Sequence, residues 1–213
     1  AAFRREFGGT IGENEGLGGA ELDAAIGNVF IFIDTNVTGY EQLAAEWEGR
    51  GTIVFIDGSR DGIDQIRSAL VGVDEIDAIH IVSHGGEGYF NLGTTRIDQA
   101  AVMGELASSL ASIGARLSAN GDILIYGCDV GQSAAGQGLL DSLALTTGAD
   151  IAASVDDTGY IMRGGDWTLE SRLGVIETTS LVAQAWEGLL APALISVSST
   201  TTVLRVYNSS GTL

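Results

Sequence analysis

Two stretches decide the fold of this chain, AIHIVSHGG at residues 78–86 and ILIYGCDVG at residues 123–131. Each begins as a short apolar run and ends at glycine beside one reactive side chain, His84 in the first and Cys128 in the second. Apolar runs without polar alternation are typical of strands buried on both faces of a parallel sheet. A histidine and a cysteine at the ends of two such strands form the pattern of a base and a nucleophile.

Further apolar runs extend this pattern along the chain. Together with 78–82 and 123–126, the runs at 29–33, 53–56 and 151–153 predict five buried strands. The intervening segments have helical spacing, and alternation of this kind predicts a three-layer α/β sandwich with a mostly parallel central sheet and helices on both faces. The helix signals are a capping box at Thr38 and Glu41, a start at Asp61, a stripe of Leu106, Leu110, Ile113 and Leu117, and a helix from Ser133 to Gly148.

The pattern changes after Val155. Runs at 167–169 and 175–178 flank a glycine turn and predict a C-terminal hairpin or edge strands, and residues 180–190 predict a short final helix. We therefore expect one domain over residues 29–188. It is preceded by a Gly- and Glu-rich extension at 1–28 and followed by a Ser/Thr-rich tail or linker at 189–213.

Composition excludes some partners. The chain has 28 acidic residues, ten arginines, no lysine and a net charge of -18, so it should repel nucleic acid and anionic membrane surfaces. The apolar part of the tail is interrupted by Pro192 and a Ser/Thr run, which predicts no membrane insertion. No signal peptide is visible at the start of the sequence. A chain of 213 residues with 45% hydrophobic residues has material for a full core.

The carboxyl ends of parallel strands meet at one edge of a sheet, where reactive residues collect. His84 and Cys128 fall at that edge, and the aspartates that follow other strands fall there too. We expect acyl transfer, with Cys128 attacking a carbonyl carbon and His84 acting as acid and base. The backbone N–H groups of Gly85 and Cys128 are the candidate oxyanion hole. A helix starting near Ser133 is expected to lower the pKa of the thiol through its dipole.

The two quoted stretches resemble the caspase-like fold of cysteine peptidases, the group that contains caspases, gingipains, clostripain and separases. In that group one apolar strand precedes His-Gly and another precedes a small residue and Cys, as at His84-Gly85 and Gly127-Cys128. Caspases carry Gln-Ala-Cys-x-Gly, whereas residues 126–131 here read YGCDVG, so a preference for aspartate is not implied.

Residues 29–177, including GGDWTLE at 164–170, more closely resemble an uncharacterised domain family. Its members lie near the amino end of very large bacterial surface or secreted proteins with adhesin-type repeats. The resemblance implies an extracellular or cell-surface location and self-processing, with a peptide or protein substrate that includes the chain itself.

Four aspartates are candidates for substrate binding, and we expect them to favour a basic residue at P1, the position whose carbonyl is attacked. The same carboxylates can instead cap helices or bind calcium, which is the one metal that the acidity suggests. They are Asp34, Asp57, Asp156 and Asp157.

Several alternatives stay open at this point. Cys128 can be a packed core thiol, and the domain can then be a non-catalytic interaction module of an adhesin. A transpeptidase or ligase would use the same acyl-enzyme with an amine in place of water. His80 lies on the same strand as His84, about 13 Å away along the strand, so a shared zinc site is not expected.

Overall fold

The computed structural model describes residues 28–191, and a parallel β-sheet forms the centre of this region. Its six strands lie in the order β2-β1-β3-β7-β8-β9, and all but β9 run parallel to their neighbours. These strands are β1 (Val29–Asp34), β2 (Thr52–Ile56), β3 (Ile76–Val82), β7 (Leu117–Tyr126), β8 (Asp150–Ala153) and β9 (Ser171–Leu173). The five predicted strands are confirmed, because each predicted apolar run lies inside one of the parallel strands.

Five α-helices connect the strands within residues 28–191, a 3₁₀ helix spans Ile161–Arg163, and both faces of the sheet are covered. The larger core lies between one sheet face and α2, α3, α4 and α5, while α1 and the C-terminal segment cover the other face. The structure is therefore a mixed α/β sandwich of three layers, as the strand and helix pattern predicts. The helices are α1 (Tyr40–Glu46), α2 (Gly62–Ala69), α3 (Gln99–Met103), α4 (Ala107–Gly114) and α5 (Ser133–Thr147).

A small antiparallel sheet, which the sequence pattern does not reveal, follows β3 directly. It consists of β4 (Gly85–Gly86), β5 (Tyr89–Leu92) and β6 (Thr95–Asp98). The turn of this sheet is tied to the main sheet, because the Gly93 N–H donates to the Asp34 Oδ2 atom at 2.6 Å. The small sheet thus fixes the loop that begins at His84.

Two helix predictions differ from the structure. Thr38 makes no capping hydrogen bond, because the N-cap of α1 is Gly39 in the left-handed conformation, one residue later. The leucine stripe ends earlier than predicted, since Leu106 is the N-cap of α4, Leu110 and Ile113 lie inside α4, and Leu117 is the first residue of β7. By contrast, Asp61 caps α2 as predicted, with its side chain accepting the Asp64 N–H at 2.8 Å.

The C-terminal part is also arranged differently from the prediction. One edge strand, β9, lies between the two runs that predicted a hairpin, and it pairs antiparallel with β8. Residues 180–190 form no helix and cross the sheet as an irregular segment. This segment packs on the domain as far as Leu190, which is fully buried and lies past the predicted boundary at 188. Residues 1–27 of the predicted extension at 1–28, and residues 192–213 of the predicted tail at 189–213, lie outside the described residues.

None of the helices within residues 28–191 is both long and apolar enough to cross a membrane.

Candidate active site

The ends of β3 and β7 bring the histidine and the cysteine to neighbouring positions. Val82 lies opposite Tyr126 in the parallel register, and the Ser83 N–H donates to the Tyr126 carbonyl oxygen at 3.0 Å. His84 and Cys128 each follow two residues after that matched pair. Adjacent strands lie about 4.8 Å apart, and residues two apart point to the same sheet face. The two residues therefore lie at the same edge of the sheet, at the ends of neighbouring strands.

Glycine at positions 85 and 127 allows the two loops to touch. A Cβ atom on Gly127 would lie 3.1 Å from the Ser83 carbonyl oxygen and 3.2 Å from the Gly85 nitrogen. A Cβ atom on Gly85 would lie 2.5 Å from the Val130 side chain and 3.0 Å from the Cys128 carbonyl oxygen. Any larger residue would push the His84 loop away from the Cys128 loop.

The Cys128 thiol is buried completely. Its Sγ atom accepts the Thr158 N–H at 3.2 Å and lies 3.8 Å from the Thr158 carbonyl oxygen. Burial raises the pKa of the thiol to about 12; the Thr158 N–H acts in the opposite direction, and the nearby Asp157 and Asp129 carboxylates add to the increase. The expected lowering by a helix dipole is thus outweighed, and the resting group is a neutral thiol.

His84 is half-buried, in contrast to the fully buried thiol. Its Nδ1 atom is shielded from solvent and has no hydrogen-bond partner within the described residues. A buried polar atom without a partner is costly, and such atoms are often found at functional sites.

His80 has a structural position. It is buried in β3, and its Nδ1 atom lies 3.2 Å from the Tyr126 hydroxyl oxygen. That hydroxyl oxygen accepts the Leu181 N–H at 2.8 Å, so the tyrosine links the sheet to the C-terminal segment. Burial lowers the pKa of His80 to about 4, and the Arg50 charge contributes less. His80 therefore stays neutral near pH 7 as a core residue that is hydrogen-bonded to Tyr126.

Two of the four candidate substrate-binding aspartates are engaged in holding loops. The Asp34 carboxylate is buried and accepts the backbone N–H groups of Asn36, at 2.8 Å, and Gly93. Asp57 is exposed and accepts both the N–H and the hydroxyl of Ser59, which lowers the pKa of the Asp57 carboxyl. The sequence places both residues at strand ends, but the structure assigns their carboxylates to turns beside β1 and β2.

The other two aspartates lie beside Cys128. Asp157 is close enough to raise the pKa of the thiol, and Asp156 accepts the Asp129 N–H through its carbonyl oxygen at 2.9 Å. Burial raises the pKa of Asp129, and the charges of Asp157, Asp156 and Glu87 raise it further. Asp129 also has a φ of 62°, a left-handed conformation that is uncommon without glycine. We call Glu87, Asp129, Asp156 and Asp157 the acidic rim.

Two groups of carboxylates within residues 28–191 have oxygens close enough together to share a cation. Each group has ligand atoms that all lie within 4.8 Å of one another. The second group includes a member of the acidic rim, although its carboxylates also accept backbone N–H groups at Val155 and Thr168. The groups are Asp122, Asp150 and Glu177, and Asp156, Asp166 and Glu170.

The sequence did not predict that residues 188–190 enter the site. Leu190 donates its N–H to the Thr158 carbonyl oxygen at 2.9 Å, and its carbonyl oxygen accepts the Gly85 N–H at 3.0 Å. One of the two predicted oxyanion donors therefore already binds a peptide carbonyl. Thr158 and Leu190 have no chemical group that marks them in a sequence, so only the folded chain reveals their position.

The pKa of the thiol gives a testable prediction. Asp157→Asn removes a negative charge beside Cys128, so the pKa should fall and the thiolate should form at lower pH. We expect the rate of Cys128 alkylation by iodoacetamide at pH 8 to rise by roughly an order of magnitude. The measurement is the rate as a function of pH, followed by mass spectrometry. Asp156→Asn is the matched control. An equal increase in the alkylation rate of that variant would contradict a specific effect of the Asp157 charge on the thiol.

Comparison with models of protein families identifies the domain. A family model described as Domain of unknown function (DUF4347) matches residues 30–190, which is most of the chain. No curated protein matches the sequence. The matched range contains every residue of the site built above.

Proposed function

The chain belongs to the DUF4347 domain family, and we propose that it is a cysteine endopeptidase that processes its own chain or a neighbouring protein. Cys128 is the nucleophile and His84 the acid and base. Their placement at adjacent strand ends, with the Gly85 N–H donating to a peptide carbonyl, is the observation that carries the proposal. A nucleophile, a base and an oxyanion donor around one carbonyl are the parts that acyl transfer needs.

The chemistry follows from the state of each group. The Cys128 thiol is neutral at rest, so His84 must accept its proton as the sulfur attacks the carbonyl carbon. The developing oxyanion is stabilised by the Gly85 N–H and, in this proposal, by the Cys128 N–H. His84 then protonates the leaving amine, and water hydrolyses the thioester. A neutral resting thiol also limits unwanted reactions until a substrate is present.

The surroundings of the enzyme are part of the proposal. The resemblance to domains of giant adhesins supports secretion or surface display in a bacterium. The net charge of -18 supports peptide or protein substrates rather than nucleic acid. Calcium is the candidate accessory ion, because Asp156 belongs both to the acidic rim and to a carboxylate group.

A non-catalytic interaction module is the second candidate. The complete burial of the Cys128 thiol and its raised pKa favour this alternative, because structural cysteines have those properties. Ligation would use the same acyl-enzyme as hydrolysis, with an amine replacing water, and it would be detected as a product longer than the substrate.

Labelling of Cys128 with peptidyl chloromethyl ketones tests the proposal. We expect a rate that saturates with reagent concentration and exceeds the rate of a simple peptide thiol. Reagents with leucine and arginine at P1 are compared, with and without calcium. Cys128→Ala should show no label, and iodoacetamide measures the unassisted reactivity of the thiol. A rate that stays linear in concentration and independent of the peptide would leave only the interaction module.

A further inference from the structure

We propose that residues 188–190 are the built-in substrate of this enzyme, and that the bond it cleaves is Leu190–Ala191. The inference rests on the proposed function and identifies its substrate. Three features support it: the way these residues pair with the domain, the position of the Leu190 carbonyl, and the burial of the Leu190 side chain.

Residues 188–190 pair with the domain as an added strand. The Tyr160 N–H donates to the Gly188 carbonyl oxygen at 2.9 Å, and the Leu190 N–H donates to the Thr158 carbonyl oxygen at 2.9 Å. Gly159 and Leu189 form an antiparallel bridge between these two bonds. Extended peptides commonly bind proteins by adding a strand in this manner. The segment therefore lies in the extended form that a peptidase requires of its substrate.

The Leu190 carbonyl lies at the reactive centre. Its oxygen accepts the Gly85 N–H, and Gly85 directly follows the proposed base. On the other side of the same residue, the Thr158 carbonyl oxygen contacts both the Leu190 N–H and the Cys128 Sγ atom. Leu190 is thus held from both sides by residues that border His84 and Cys128. This carbonyl is the one that the geometry presents to the sulfur.

The Leu190 side chain is buried completely, within the apolar cluster that also contains Cys128. The cluster includes the aromatic rings of Tyr126, Trp167 and Trp186. A guanidinium would lose its hydration in such surroundings, since a buried charge without a partner is strongly unfavourable. We therefore infer an aliphatic P1 residue, in place of the arginine that the aspartates suggest. Glycine at 159 and 188 permits the close approach, because a Cβ on Gly159 would lie 2.4 Å from the Gly188 carbonyl oxygen.

The reaction balances with water as the co-reactant. The Cys128 proton passes to His84 as the bond from Sγ to the Leu190 carbonyl carbon forms. The bond to the Ala191 nitrogen breaks, and that nitrogen takes the proton from His84. Water then adds to the thioester, which restores the thiol and leaves a carboxylate at Leu190.

The test measures the chain ends of the full-length protein after expression and after incubation. We expect mass spectrometry to find a fragment that ends at Leu190 and one that begins at Ala191, and Cys128→Ala to remain intact. Leu190→Arg should slow the cleavage at least 100-fold, while Leu190→Met should retain it. Val175→Arg adds the same charge at a position that is 68% exposed, so it should cleave like the wild type.

Each outcome separates this inference from the proposed function. Every variant is also labelled with the leucine chloromethyl ketone, which tests the Cys128 site with a separate reagent. Saturable labelling without cleavage at Leu190–Ala191, or with cleavage at another bond, would overturn the inference and leave the peptidase standing. Absence of both would overturn both. Equal cleavage of Leu190→Arg and Val175→Arg would contradict the aliphatic P1 assignment.

Discussion

Replacement of His84 by alanine is expected to slow acylation of Cys128 by a factor of about 10²–10⁴, the usual contribution of a general acid or base. The effect should be large because burial holds the thiol in its neutral form, so a thiolate does not form readily without a base. The measurement is the maximal labelling rate with a peptidyl chloromethyl ketone at pH 7. Raising the pH should partly restore the rate in His84→Ala, since hydroxide then removes the thiol proton.

The second histidine supplies the control. His80→Gln keeps a polar group beside the Tyr126 hydroxyl, and His80 belongs to the core rather than to the site. The labelling rate of this variant should match that of the wild type once its folding has been verified by circular dichroism. A rate in His84→Ala within threefold of the wild type would remove the base from the mechanism.

Trp186→Ala is expected to have the largest effect on stability, about 3–5 kcal/mol, as for other buried tryptophans that are cut to alanine. Trp186 is 3% exposed, and its ring centroid lies 5.9 Å from that of Trp167. Its Nε1–H donates to the Thr38 carbonyl oxygen at 2.9 Å. In the alanine variant this carbonyl oxygen would lose its hydrogen-bond partner. Urea denaturation of the Cys128→Ala background measures the free energy of unfolding without interference from cleavage.

The same substitution should also expose the thiol, because Trp186 anchors the segment that leads to residues 188–190. In the presence of Cys128, we expect iodoacetamide to react several times faster in Trp186→Ala than in the wild type. Val182→Ala is the matched control in the same segment, since its side chain is 55% exposed and should change stability by less than about 0.5 kcal/mol. If Trp186→Ala left the alkylation rate unchanged, the segment would not be the cover of the site.

Local pattern was sufficient for the five parallel strands of the central sheet. The buried strands needed only apolar runs, because a strand covered on both faces has no polar alternation to obscure it. It was not sufficient for the region around Leu117. Of four apolar residues at helical spacing, three belong to one helix and its N-cap, and the fourth begins a strand. Period alone cannot show that this helix ends at Gly114, or that Leu117 pairs with Ile76.

The same division holds for the candidate site. The positions of His84 and Cys128 at neighbouring strand ends were predictable, since parallel strands place their carboxyl ends at one edge. The burial of the thiol and the rise of its pKa were not, because they depend on Thr158 and Asp157, 30 residues or so further along the chain. The Gly85 N–H, which the sequence predicts as an oxyanion donor, donates to the Leu190 carbonyl oxygen, and no local pattern indicates that contact.

The amino-acid sequence by itself determined the α/β class, the five parallel strands and the edge at which the histidine and cysteine meet. These features follow from periodicity and from short-range backbone preferences, which act within a few residues. Only the tertiary structure decided what lies over that edge. The antiparallel pairing of residues 188–190 with 158–160, and the burial of Leu190 beside Cys128, arise from contacts between segments distant in sequence. Such contacts depend on shape and solvent exclusion, for which a one-dimensional pattern has no signal.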